Sequence, residues 1–283
     1  MIKLGDISTV RVHTVTPSQS LDTAICQMEE YLIHHLPVVD NGAVVGMVSD
    51  RDILIAVGWM LEIERTTDDS GNEIVGPRRV KEVMSTPAIC LDVDDSVPAA
   101  AGIMARRKIH AIPLLKKGKL AGIVTRLDIL RSCIENESLA QACGFLNDMT
   151  RRHMHAGVLA VGPRDTASSV ARTMKEKHIR HMLVESGGMI IGTVSDRDLR
   201  RACGTESMLD SQAEASRKAF LDEFSIIEIM SHPVRTIDGN RPVREAFCSM
   251  IEARVGCLPV IEGERAIGII TDTDLLNLVA ATV

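Results

Sequence analysis

The sequence predicts an α/β protein made of four copies of one small unit, set out as two tandem pairs, each unit a short β-sheet packed with two helices. Three observations carry this. The pattern Gly-x-x-Ser/Thr-x-x-Asp occurs four times, as GMVSDRD from Gly46, GIVTRLD from Gly122, GTVSDRD from Gly192 and GIITDTD from Gly268. Its hydroxyl residues Ser49, Thr125, Ser195 and Thr271 stand 76, 70 and 76 positions apart, so the first and third, and the second and fourth, are both separated by 146. The same offset relates Pro17 to Pro163, Met84 to Met230, Pro87 to Pro233, Pro113 to Pro259 and Gly58 to Gly204 without a gap. The duplicated unit is therefore a pair of repeats. Pairs are expected over 1–146 and 147–283, with repeats at about 6–60, 80–135, 149–205 and 226–283.

Repeat one shows the order of elements within a unit. His13 to Val15 reads as the start of a lead strand. Leu21 to Tyr31 has helical periodicity, with Leu21, Ile25 and Met28 on one face. Leu36 to Val39 and Val44 to Val48 are short apolar strands, joined by Asp40, Asn41 and Gly42, of which Asn and Gly tolerate positive φ. A second helix follows Ser49 and carries Ile53 and Leu54 inward. Met28, Met104, Met174 and Met250 fall at equivalent helical positions and read as core packing. Strands this short and apolar are poorly covered by one repeat, and pairing shields both sheets. Arg65 to Arg79 reads as a polar connection, and its counterpart Ser211 to Asp222 as more helical. Leu139, Cys143 and Leu146 predict a linking helix within Ser132 to Asp148.

Composition narrows the function. With 45% hydrophobic and 25% charged residues the chain is a folding one. A net charge of −6 and 2% aromatic residues leave neither a phosphate-backbone footprint nor base-stacking platforms, so nucleic acid is not the expected partner. Seven cysteines without a C-x-x-C pair fit neither a disulfide framework nor a zinc site, and point to a reducing, cytoplasmic setting. No apolar run reaches the ~18 residues of a membrane helix, and Met1 to Asp6 lacks signal-peptide character. No membrane insertion is expected.

The Ser/Thr-x-x-Asp element falls where a strand gives way to a helix, which supports two readings. In the first it is a capping box: the hydroxyl caps the helix, the carboxylate reaches back to the backbone, and no ligand is involved. In the second, the helix N-terminus and hydroxyl meet a phosphate or ribose oxygen, while the Asp accepts from a ribose diol. A cap tolerates several residue types, so the same hydroxyl and carboxylate in all four copies favours the second. Arg51, Arg126 and Arg197 follow the hydroxyl closely; they read either as phosphate partners or as a solvated helix face, and an Arg in a first turn opposes the helix dipole. His153 and His155 lack a third metal ligand, and no catalytic or Walker-type motif occurs, so neither a metal site nor an enzyme is expected.

The fourfold motif, with its upstream helix, a segment such as IHHLPVV and the closing GMVSDRD, resembles the cystathionine-β-synthase (CBS) domain family over nearly the whole chain. The resemblance implies two Bateman modules whose clefts bind adenosyl ligands, either adenine nucleotides (AMP, ADP or ATP, with or without Mg2+) or S-adenosylmethionine. It implies ribose and phosphate contacts at Ser49 with Asp52, Thr125 with Asp128, Ser195 with Asp198 and Thr271 with Asp274. In four-repeat members, basic residues just before the Leu-Pro-Val strand reach phosphates. The matching positions here are His34 and His35, His110 and Ala111, Arg180 and His181, and Gly256 and Cys257. Repeat four departs by having no cation there, although Arg254 is near, and repeat three has Leu183 where the others have Pro37, Pro113 and Pro259. The expected function is a non-catalytic sensor that signals to a protein effector in trans, its modules closing on each other within one chain as a pseudo-symmetric disk or across a homodimer. A ligand-free scaffold is the alternative.

Overall fold

Each repeat is built around one antiparallel hairpin. His35–Asp40 pairs with Ala43–Ser49, Ala111–Lys116 with Lys119–Thr125, His181–Ser186 with Met189–Ser195, and Cys257–Glu262 with Arg265–Thr271. The turns demand left-handed residues: Asn41 and Gly42, Lys117 and Gly118, and Gly187 and Gly188 all have positive φ, as does Gly263. All four hairpins carry a register shift at the same place, between Val38/Val39, Leu114/Leu115, Val184/Glu185 and Val260/Ile261. The computed structural model describes residues 2–56, 66–67, 73–74, 77–203 and 221–282. The connection expected over 65–79 and the helical segment expected over 211–222 lie mostly outside the described residues, as do Gly58 and Gly204.

Two longer helices flank each hairpin. The first are Leu21–Glu30, Val97–Arg107, Ala167–Lys177 and Val243–Ala253. Ser20, Ser96 and Thr166 cap the first three through bonds from Thr23, Ala99 and Ser169 N–H. The inward faces bury Met28, Met104, Met174 and Met250, as their spacing predicts. The second helices, Asp50–Ala56, Arg126–Glu135, Asp196–Cys203 and Asp272–Ala280, begin directly after the motif hydroxyl. Ile53 is buried. Of the expected lead strand in repeat one, only Val15 pairs, in a parallel bridge to Val38; His13 stacks on Tyr31.

What joins two repeats is an exchange of lead segments. Thr9, in the lead segment of repeat one, exchanges backbone hydrogen bonds with Ile123 of repeat two (2.9 and 3.0 Å), while Ser85, in the lead segment of repeat two, exchanges them with Met47 of repeat one (2.8 and 3.0 Å). The second pair does the same: His155 registers with Ile269, and Ser231 bridges Thr193. Short helices in the leads dock likewise, Leu4–Ile7 against repeat two and Val80–Val83 against repeat one.

The motif glycine makes this possible. A Cβ on Gly46 would stand 2.8 Å from Met84 Sδ and 2.9 Å from the Ser85 carbonyl; on Gly268 it would stand 2.6 Å from the His155 carbonyl.

The two pairs also pack on each other. Repeats one and three keep separate cores, but repeats two and four share one, in which the helix Val97–Arg107 lies against Asp272–Ala280. The linker joins that shared core. It is not the single helix expected over 132–148: Arg126–Glu135 stops at Asn136, whose side chain accepts from Ser138 and Leu139 N–H to start Glu137–Ala142, and a 3-10 turn Gly144–Asn147 follows. Asparagine's preference for capping over helix interiors explains the break. Leu139, Cys143 and Leu146 are nevertheless buried.

Gly46→Ala and Gly268→Ala are each expected to lower stability by about 1–3 kcal/mol through overpacking against backbone that cannot yield. Gly144→Ala, with open space around it, should stay within about 0.5 kcal/mol. Denaturant midpoints at constant m-value check the contrast.

Candidate functional site

All four Ser/Thr-x-x-Asp elements are closed capping boxes. Ser49 N–H and Oγ–H donate to Asp52 Oδ2 at 2.8 and 2.6 Å, and Asp52 N–H donates back to Ser49 Oγ at 3.2 Å. The same three bonds recur between Thr125 and Asp128, Ser195 and Asp198, and Thr271 and Asp274. The cap uses Oδ2 in each case, which leaves Oδ1 to point elsewhere. Asp198 Oδ1 accepts from Ser231 Oγ at 3.0 Å, and Asp274 Oδ1 lies 2.7 Å from His155 Nε2.

The four boxes part company in their surroundings. A cavity of about 600 Å³ is lined by Ser49 and Asp52 of repeat one and by Ser195 and Asp198 of repeat three; the boxes of repeats two and four do not border it. His35, Arg51, His110, Arg126, Arg180, His181 and Arg197 all face this cavity, drawn together from three repeats. His34 does not. It pairs with Asp50 at 3.0 Å and is half exposed. Lys108 and Arg254 line the cavity and were not assigned a site role from sequence. The 146-residue offset that relates them was the available signal, and both hold the left-handed conformation that ends a helix (φ 55° and 53°).

The cavity carries more basic than acidic side chains, with Asp50, Asp52, Asp196 and Asp198 among its lining. Arg180 Nη1 donates to His110 Nε2 at 2.8 Å, and burial, with Arg51 and Arg126 close by, pulls the Arg180 pKa down to about 10. Burial likewise pushes His35 down to about 4, and lowers His110 and His181. These imidazoles are therefore neutral at pH 7 and the arginines carry the charge. Arg126 Nη1 meets the buried Asp272 Oδ2 at 2.6 Å, an ion pair between repeats two and four. Burial raises the Cys257 thiol to about 12, so it stays protonated. Among the described residues no group of three or more His, Cys, Asp or Glu could hold a metal ion, and no helix is long and apolar enough to cross a membrane. The arrangement brings two hydroxyl–carboxylate elements and several arginines to one cavity, groups that can meet anions carrying polyol groups.

Because the cavity histidines bind protons more weakly folded than unfolded, stability should be full above about pH 6.5 and decline as pH falls from there toward 4. Denaturant midpoints taken across that interval should show the decline, and His35→Gln should make it shallower.

Comparison with known proteins places the fold. The chain is 22% identical over 276 residues to protein MJ1225 of Methanocaldococcus jannaschii, covering 95% of this chain and 96% of that one. The crystal structure of MJ1225, proposed to be an archaeal homologue of g-AMPK, superposes with a TM-score of 0.75 at 23% identity, covering 98% and 99% of the two chains. An uncharacterised conserved protein of Pyrococcus horikoshii gives a TM-score of 0.65 at 20% identity, covering 98% of this chain and all of that one. CBS domain-containing protein YhcV of Bacillus subtilis is 30% identical over 155 residues, 55% of this chain and the whole of YhcV. The CBS domain pattern itself matches residues 4–58, 80–135, 147–204 and 226–281. With four such domains spanning most of its length, the chain belongs to the CBS domain family.

Proposed function

We propose that this protein is a non-catalytic regulatory sensor that binds adenine nucleotides in the clefts of repeats one and three. The observation that carries this reading is the single cavity joining Ser49 and Asp52 to Ser195 and Asp198 across Arg51, Arg126, Arg180 and Arg197. Each ribose meets the Oδ1 side of a capping Asp, which in Asp198 also accepts from Ser231 Oγ, and the phosphates of both ligands point to the shared arginines. The capping and binding roles of the motif coexist, because they use different carboxylate oxygens. The cationic centre favours phosphate-bearing adenosyl ligands, with or without Mg2+, over S-adenosylmethionine, whose sulfonium carries positive charge. A ligand in a cavity bordered by all four repeats signals to a protein effector in trans by preferring one arrangement of the two pairs.

One observation supports the alternative, a ligand-free scaffold: every motif is fully satisfied as a cap. Calorimetric titration with AMP, ADP and ATP, each with and without magnesium, separates the two. Two ligands per chain are expected. Asp52→Ala or Asp198→Ala should remove one of them. Asp128→Ala should cost on the order of 1 kcal/mol of stability through the lost cap and leave both ligands bound. Absence of saturable binding by all three nucleotides would establish the scaffold.

A further inference from the structure

The 146-residue offset makes the two pairs near-copies, and the cavity shows where they stop being so. Arg126 and Asp272 are the same position, the first residue after the motif threonine, in repeats two and four. Instead of two like charges meeting across the pseudo-twofold, a cation meets an anion. The contact is 2.6 Å, with the two side chains 17% and 7% exposed. A second difference makes room for it. His110 of repeat two corresponds to Gly256 of repeat four, and a Cβ on Gly256 would stand 2.9 Å from Asp272 Oδ2 and 3.4 Å from the His181 ring. Arg126 lines the cavity and Asp272 does not. The carboxylate thus holds the guanidinium from behind.

We infer that Asp272 is a specificity-determining residue, a built-in counter-anion that competes with ligand phosphate for Arg126 and so limits how strongly the cavity binds highly charged ligands. This rests on the reading of the cavity as a phosphate seat. The competition has two consequences. Ligands with little negative charge are indifferent to Asp272, while diphosphates, triphosphates and inorganic pyrophosphate pay its full effect. A phosphate that draws Arg126 forward also weakens the ion pair linking repeats two and four, which ties ligand charge to the contact between the two pairs.

The test compares adenosine, ATP and inorganic pyrophosphate on the full chain, using wild type, Asp272→Asn, Arg126→Gln and the double variant. Removing one close charge competitor is expected to tighten ATP and pyrophosphate binding to Asp272→Asn roughly tenfold, about 1.4 kcal/mol, with adenosine unchanged. The gain should vanish when Arg126→Gln is also present. Ligand-free Asp272→Asn should melt lower than wild type, since Arg126 loses its partner, and pyrophosphate should restore it. Asp272→Ser serves the same comparison if the Asn variant does not fold. Unchanged or weaker pyrophosphate binding, a gain that survives without Arg126, or an equal gain for adenosine would overturn the inference. Failure of adenosine and ATP to bind any form, with pyrophosphate still bound more tightly by Asp272→Asn, would sink the nucleotide reading and leave this one standing. Pyrophosphate binding to none of the four proteins would end both.

Discussion

The structure depends on the exchange of lead segments between the two repeats of a pair. A strand of six or seven residues cannot cover its own sheet, and each hairpin, besides pairing with the lead of its own repeat, takes a backbone partner from the lead segment of the other repeat. Neither repeat is complete alone. The motif glycines at 46, 122, 192 and 268 are where this exchange is decided, because the incoming backbone or side chain occupies the space a Cβ would need. The constraint also places chemistry. By bringing the lead segment beside the motif helix of the other repeat, the exchange sets Ser231 against Asp198 and His155 against Asp274.

Duplication then produces a near-symmetric molecule whose departures from symmetry carry the interest. The four capping boxes are alike to within tenths of an ångström, which follows from their being local structures closed over four residues. Their neighbourhoods differ because repeats two and four merge their helices in one apolar core while repeats one and three do not. The boxes of repeats one and three open on the shared cavity as a result. Buried histidines made neutral by desolvation line its walls without adding charge, which leaves its arginines and carboxylates to set the field.

Local features were legible in the sequence wherever they were set by a few neighbouring residues. The Asn41–Gly42 turn, the buried methionines and the helix starts after Ser49 and Thr125 all follow from spacing and residue type. The linker was not legible. Leu139, Cys143 and Leu146 have helical spacing and are buried, yet Asn136 and Gly144 break the path into three pieces, because capping chemistry at one residue outweighs a periodicity of three. His34 is a similar case: chemically equivalent to its neighbour His35, it lies just before the strand, pairs with Asp50 and does not line the cavity.

By itself the sequence determined the repeat, its doubling at an offset of 146, the order of strands and helices, and the hydroxyl–carboxylate pair at each helix start. All of these are properties of short segments or of comparison between segments. Only the tertiary structure decided which clefts open together, that Lys108 and Arg254 join the arginines, and that Arg126 meets Asp272. Those outcomes depend on how one pair faces the other, and that is fixed by the burial of apolar helix faces between repeats two and four, a sum over many weak contacts distant in the chain that no single motif records.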